Sequence, residues 1–308
     1  VLVSGLLVAL AGVTPDAALL AAAARVLRSH AVAIHPTVRP LVDTCGTGGD
    51  GLSTFNISTA AAMAVAAAGA AVAKHGNRGV SSPVGSADVL EAAGCAVSLV
   101  PEAARTLLDA TGFAFLFAPV FHPAMAHVAG VRRTLGIRTI FNLLGPLTNP
   151  ALAEHQLVGV FDPKLTSVMA GALKELGSRG AMVVHCDGLD EIGLHAVTTG
   201  HRLKDGEIEA LRIDPEALGL ARAPLEALRG PLDAAGNCEL LKRSLAGDAG
   251  PLSDVVALNA AAALQVAGRV DTLLQGLEQV RERMRSGAAL RVLDRYAESS
   301  RRLAGGHR

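Results

Sequence analysis

The chain has 308 residues, half of them hydrophobic, with 3% aromatics, no Trp and a formal net charge of zero. That length allows one large domain, or one large and one small. Balanced charge gives no global field to draw nucleic acid or an acidic membrane surface, and no unbroken apolar run reaches the roughly eighteen residues of a membrane span.

The opening VLVSGLLVALAGV lacks the basic leader and processing pattern of a signal peptide, and a chain starting at Val1 reads as trimmed. Thr14-Pro15-Asp16 is a stop-and-start signal between two helices. The second, AALLAAAARVLRSHA, is amphipathic, with Leu19, Ala23, Val26 and Leu27 on one side. Residues 1–40 are expected to form a small helical domain, with Pro36 and Pro40 bracketing a linker into a strand at Leu41.

From residue 41 to 308 strands and helices alternate. The expected strands are LVDTC, AAVAKHG, CAVSLV, HQLVGVF and AMVVHC, and FAFLFAPV is an apolar run ending at Pro119. The expected helices begin near Thr59, Ser86, Pro101, His122 and Pro163; FNLLGPLTNP, with two prolines, reads as a loop. VTTGHRL and IEALRI read as a hairpin turning at Lys204-Asp205-Gly206, and Glu239 to Leu303 as helical. Such alternation predicts an α/β fold with a mostly parallel central sheet. With so few aromatics the core must be filled by Ala, Val, Leu and Gly, which suits helices lying close on such a sheet. Cys45, Cys95, Cys186 and Cys238 are far apart with no C-x-x-C spacing, so reduced thiols in a cytoplasmic protein without a zinc site are expected.

Four stretches carry chemistry. In DTCGTGGDGLSTFNIST, Asp43 to Thr59, Gly46, Gly48, Gly49 and Gly51 fall within six positions among Thr and Ser hydroxyls. A strand, a glycine turn and a helix start together offer backbone N–H groups to an anion. The simpler reading is a glycine-rich connection with a Ser or Thr cap; the density of Gly and hydroxyls favours phosphate. Neither the P-loop nor the dinucleotide fingerprint is present.

The second stretch, Lys74-His75-Gly76-Asn77-Arg78 with Gly79, Ser81, Ser82 and Ser86, follows another strand and reads as a second anion cradle, or as a solvated basic turn. Two such loops on one sheet edge would serve a ligand with two separated phosphate groups. The third, Asp187-Gly188-Leu189-Asp190-Glu191, places adjacent carboxylates at a strand end. Alone it reads as an acidic turn facing water; beside phosphate loops it fits Mg²⁺. The fourth, Val131-Arg132-Arg133-Thr134-Leu135-Gly136, on spacing alone reads as surface arginine at a helix C-terminus.

Taken in order, DTCGTGGDGLSTFNIST, KHGNRGVSSPVGSADVLEAAG, VRRTLGIRTIFNLLGPLTNP and GLDEI resemble the diagnostic blocks of the anthranilate phosphoribosyltransferases of tryptophan biosynthesis. The resemblance runs from about Leu41 into the C-terminal helices. It implies a nucleoside phosphorylase/phosphoribosyltransferase type of fold: a small N-terminal helical domain, completed by helices around 120–137, and a large α/β domain with C-terminal helices. It implies transfer of the 5-phosphoribosyl group from phosphoribosyl pyrophosphate to the amine of anthranilate, with Mg²⁺, in a homodimer. Carried over by position, Gly46, Gly49, Asp50, Thr54, Asn56, Ile57, Ser58 and Thr59 would bind the donor. Lys74, His75, Gly76, Asn77, Arg78, Gly79, Val80, Ser81, Ser82 and Ser86 would complete that site. Ser58, Asp190 and Glu191 match the metal positions. Gly46, Asn77 and Arg132 match the anthranilate contacts, Arg132 serving its carboxylate. No general base is expected, because an aromatic amine is neutral at pH 7. Family members carry a longer N-terminal helical region. Two alternatives remain: a pyrimidine nucleoside phosphorylase, with no use for Asp190-Glu191 as a metal pair, and a non-catalytic paralogue that binds nucleic acid through a basic groove.

Overall fold

The computed structural model describes residues 2–79 and 82–305; Val80 and Ser81, named above for the donor site, lie outside them. Two helices open the chain, α1 (Leu2–Ala11) and α2 (Ala17–Ser29). Asp16 caps α2, its carboxylate accepting from Leu19 N at 2.7 Å, which satisfies one of the free amides of a helix start. The alternating section then runs β1 (Leu41–Gly46), α3 (Ile57–Ala67), β2 (Ala71–Gly76), α4 (Ser86–Ala92), α5 (Pro101–Thr111) and β3 (Phe113–Phe117). Pro101 sits in the first turn of α5 and Gly112 closes it with φ 75°, the asymmetry that helix ends favour.

Three short helices follow, α6 (Ala118–Phe121), α7 (Ala126–Leu135) and α8 (Phe141–Leu147). After them come β4 (His155–Gly159), α9 (Leu165–Glu175), β5 (Gly180–His185), β6 (Thr198–Lys204) and β7 (Glu207–Ile213). The C-terminal layer is α10 (Ala234–Ala246), α11 (Pro251–Val266), α12 (Leu273–Arg285) and α13 (Ala288–Gly305).

The seven strands form one sheet in the order β3-β2-β1-β4-β5-β6-β7. The pairs from β3 to β5 are parallel; β6 and β7 form the expected antiparallel hairpin, turning at Asp205 and Gly206, both with positive φ. On one face lie α3 and the C-terminal layer, packed largely from alanine. Gly276 of α12 has no room for a side chain: a Cβ there would stand 2.9 Å from Ala261 of α11. The other face is covered by α2, α8 and α9, with Leu20, Ala24, Leu143, Leu147, Met169 and Leu173 in one cluster. α1 rests on α7.

Two expectations are corrected. Residues 95–100 are not a strand. Cys95, Val97 and Leu99 are buried and alternate with more exposed neighbours, so the pattern is that of a strand, but the segment connects α4 to α5 and forms no sheet ladder. Residues 141–147 are a helix rather than a loop, with Pro146 inside it. Pro146, beyond the first turn, has no N–H to donate to Asn142 O, and the helix ends directly after it, with Thr148 N closing onto Gly145 O at 3.2 Å.

Candidate active site

The chain leaves β1 toward β2 and β3, then returns to build β4 and β5 on the other side. At this reversal adjacent connections diverge and open a crevice beyond the strand ends. Gly46 and Gly159 face each other there as a register pair. A Cβ on Gly159 would overlap the Asp190 carbonyl group, with Asp190 Cα at 3.1 Å; one on Gly46 would stand 2.9 Å from Asp190 Cγ. The two glycines therefore let the acidic turn fold back across the crevice. Asp190 and Glu191 end buried, each 8% exposed. This differs from a water-facing acidic turn.

The glycine turn after β1 has φ of 66°, 82° and 74° at Gly48, Gly49 and Gly51. Its amides are used by the neighbouring strand end: Gly48 N donates to Asp190 Oδ2 at 2.7 Å and Thr47 N to Gly159 O at 2.9 Å. Asp50 accepts from Leu52 N, and Thr54 bridges to Arg229. The chain then enters α3, where Ser58 N in the first turn donates to Glu191 Oε1 at 3.1 Å. Ile57 is buried in the core. Asn56 Nδ2 donates to Val84 O at 3.2 Å and ties this turn to the second loop. Its Oδ1 and the Thr59 hydroxyl are buried without a partner.

Lys74 does not project into the crevice. It is 2% exposed and donates from beneath to Thr44 O at 2.6 Å and Ser58 Oγ at 3.2 Å. Gly76 is close against Phe115, and Ser86 Oγ donates to Asn77 O at 3.2 Å. Arg78 turns outward to α4, donating to Asp88 at 3.1 Å and Glu91 at 2.5 Å, with its guanidinium over Phe117. Asp88 also accepts from Gly79 N and Gly85 N, both at 2.9 Å, which shapes the loop on either side of Ser82. His75 is buried; its Nδ1 contacts Gly145 O at 3.2 Å, its ring lies 5.0 Å from His122, and both Nε2 atoms lack partners. Burial, reinforced by His122, pushes the His75 pKa down to about 3.

Electrostatics single out the acidic turn. Burial, then the charges of Asp50 and Glu191, holds Asp190 well above the usual carboxylate range. Burial also pushes Glu191 up to about 7, against the pull of Lys74. Two adjacent buried carboxylates with a third nearby are unfavourable unless a cation shares them. The donors are all oxygen, Asp190, Glu191 and the Ser58 hydroxyl, which fits a hard ion such as Mg²⁺. Among the described residues no cluster of three or more His, Cys, Asp or Glu makes a complete cage, so such an ion would share its shell with a ligand or water.

Arg132, on α7, is half-buried and stacks 5.4 Å over Phe141 at the start of α8; burial lowers its pKa. Arg138 is the arginine that reaches the glycine turn. It donates to Gly49 O and lies 4.3 Å over Phe161. Sequence reasoning assigned no role to Arg138, Gly159, Asp43 or Asn149. A glycine ending a strand beside another strand-end glycine was the available signal for Gly159; buried Asp43 and Asn149 had none.

The family model described as "Glycosyl transferase family, a/b domain" matches residues 38–290. The anthranilate phosphoribosyltransferase of Symbiobacterium thermophilum is 52% identical over 91% of this chain and 82% of that protein. The one from Laribacter hongkongensis is 49% identical over 98% and 89%. Among solved structures, anthranilate phosphoribosyltransferase from Thermus thermophilus superposes with a TM-score of 0.91 at 48% identity, covering 97% of this chain and 89% of that one. The Saccharomyces cerevisiae enzyme, solved in complex with PRPP and Mg, gives 0.84 at 29% identity, covering 92% and 80%.

Proposed function

The chain belongs to the anthranilate phosphoribosyltransferase family, and on that premise we propose how its residues divide the work. The reaction transfers the 5-phosphoribosyl group from phosphoribosyl pyrophosphate to the amine of anthranilate, giving N-(5-phosphoribosyl)anthranilate and pyrophosphate for L-tryptophan biosynthesis. The reading of the site rests on one observation above the rest: the buried pair Asp190 and Glu191 meets the glycine turn at Gly48 N and the helix start at Ser58 N.

Asp190, Glu191 and Ser58 would hold Mg²⁺, which would supply positive charge beside a pyrophosphate leaving group. Gly46, Gly49, Asp50, Thr54, Asn56, Ile57, Ser58 and Thr59 line the donor from the first loop. Gly76, Asn77, Gly79 and Ser82, with Ser86, line it from the second loop, which His75 and Arg78 support from behind. Lys74 acts from below, orienting the Ser58 hydroxyl. Arg132 holds the anthranilate carboxylate, with Gly46 and Asn77 beside the ring; stacking on Phe141 keeps its guanidinium plane fixed. Displacement at ribose C1 is dissociative, through an oxocarbenium-like state, with the amine arriving from the opposite face. No residue serves as general base. Rate comes from positioning and from donors aimed at the charge that develops on the leaving group.

Residues 1–40 are assigned to a small helical domain completed by the helices around 120–137, in keeping with α1 resting on α7. The exposed Leu2, Leu6, Val8 and Val26 of α1 and α2 suit a homodimer contact. A cytoplasmic setting fits four buried free cysteines; among the described residues no helix is long and apolar enough to cross a membrane. Zero net charge argues against a nucleic-acid partner.

The test is anthranilate fluorescence followed with and without phosphoribosyl pyrophosphate and Mg²⁺. Consumption that requires both is expected. Consumption of a pyrimidine nucleoside with phosphate, and none of anthranilate, would replace this reading with the phosphorylase.

A further inference from the structure

β1 and β2 are adjacent six-residue strands, yet their ladder holds only Leu41 with Ala71 and Val42 with Val72. On their outer sides the ladders continue to the ends: β1 pairs with β4 as far as Gly46, and β2 with β3 as far as Gly76. Beyond Val42 the two strands that launch the two loops still run side by side but exchange no ladder hydrogen bonds. Buried backbone groups left without a ladder partner must find others.

Three side chains supply them. His75 N donates to Asp43 Oδ1 at 3.2 Å. Thr44 O accepts from Lys74 Nζ at 2.6 Å. Ala73 O accepts from Asn149 Nδ2 at 2.8 Å, and the same amide donates to Asp43 Oδ2 at 2.8 Å. Asn149 is itself fixed by Ala151 N, which donates to its Oδ1 at 2.9 Å. Asp43, Lys74 and Asn149 are 0%, 2% and 1% exposed. A network buried and satisfied in this way is rigid and admits one geometry.

We propose that Asp43 and Asn149 are positioning residues for the phosphoribosyl donor: with Lys74 they take the place of the missing ladder bonds between β1 and β2 and so set the spacing between the loops that follow. This rests on the proposed function, in which one ligand spans both loops. Asp43 accepts a hydrogen bond on each oxygen, one from His75 N and one from Asn149 Nδ2. An amide in its place keeps the shape but has only one acceptor, so either His75 N or Asn149 Nδ2 would face another donor. The strands must then shift, and a shift of about 1 Å at a positioned group is enough to lower turnover about 100-fold.

The experiment is calorimetric titration of phosphoribosyl pyrophosphate with Mg²⁺ into the wild type, Asp43→Asn and Asn149→Ala, with steady-state KM for anthranilate measured beside it. The donor Kd is expected to rise about 10-fold or more in both variants and the anthranilate KM to rise less, since Gly46 and Asn77 follow the two strands but Arg132 on α7 does not; general loosening would not give that split. A donor Kd within about 2-fold of wild type, or an equal rise for both substrates, overturns the bridging role. If Asp43→Asn does not fold, Asn149→Ala carries the test alone, since it leaves the His75 and Lys74 contacts in place. Wild-type protein that binds the donor but does not consume anthranilate would refute the proposed function and leave the bridging role standing. Wild-type turnover with variants indifferent to the donor would do the reverse.

Discussion

Gly46→Ala is the sharpest single perturbation of this site. Gly46 has an ordinary negative φ, so alanine brings no backbone strain, and the whole effect comes from one methyl group. That methyl would stand 2.9 Å from Asp190 Cγ and 3.3 Å from Asp190 O, with Oδ2 closer still. Real Cβ atoms keep more than 3.0 Å from any neighbour, so the carboxylate must retreat. It cannot do so freely, because Oδ2 accepts from Gly48 N and the Asp190 main chain is held over Gly159. A retreat of about 1 Å at a positioned catalytic group predicts a loss of about 100-fold in kcat/KM, or about 2.7 kcal/mol. The same clash should destabilise the fold by about 1–3 kcal/mol as overpacking. The assay is steady-state loss of anthranilate fluorescence across a Mg²⁺ titration, with thermal melting to check the fold. Gly130→Ala, which meets nothing within 4 Å, is the control for an added methyl. A Gly46→Ala protein within about 3-fold of wild type would refute the argument that Asp190 must lie where this structure puts it.

Asp190→Ala and Glu191→Ala should each weaken Mg²⁺-dependent turnover; an unchanged Mg²⁺ titration curve in both would remove them from the metal role. Arg132→Ala should raise the KM for anthranilate at least about 10-fold with little change for phosphoribosyl pyrophosphate, and equal changes would contradict its assignment. His75, with its pKa pushed down to about 3 in the fold, titrates near 6.5 when unfolded. Its contribution is fully present above pH 6.5 and is lost as pH falls from there toward 3. By pH 5 the loss is about 2 kcal/mol. Asp43, pushed up to about 6 by burial, acts with the opposite sign, since it gains its proton in the fold before it does unfolded. The difference in melting temperature between wild type and His75→Gln, measured at pH 8 and pH 5, isolates the histidine; the variant should lose less on acidification. Equal losses would show that His75 accepts a proton while folded.

What could be read from the sequence was local. The strand, glycine turn and helix start from Asp43 to Thr59 announce themselves through backbone chemistry that depends on neighbours in the chain. The β6–β7 hairpin does so through Asp205-Gly206. Residues 95–100 misled because alternation reports burial of one face, which Cys95, Val97 and Leu99 do have, and not the presence of a partner strand. Residues 141–147 misled because Pro146 and Gly145 are helix breakers by propensity, while Leu143, Leu144 and Leu147 gain more from burial against α2 and α9. Contacts between distant segments were silent. Nothing near Gly159 in sequence points to Asp190, and nothing near Asn149 points to Asp43. Arg78 illustrates the converse: its charge was legible, but its engagement with Asp88 and Glu91 of α4 depends on how the loop closes.

The features that make this site unfavourable to a folded chain collect in one place. Among the described residues four other than glycine adopt positive φ, and two of them, Ser53 and Asp187, flank the two turns that meet at the crevice. Such conformations cost about 1–3 kcal/mol each, and Asp190 beside Glu191 adds buried like charge. Elsewhere the chain is conservative: alanine helices lie close on the sheet and the other ladders run the length of their strands. A protein selected only to fold would complete the ladder between β1 and β2 and place neutral residues at 190 and 191. That backbone strain, the incomplete ladder and the paired carboxylates all coincide at the reversal of the sheet ties them to one demand. Each keeps donor groups or negative charge aimed at a space between strand ends, where a polyanionic ligand and its cation would satisfy both together.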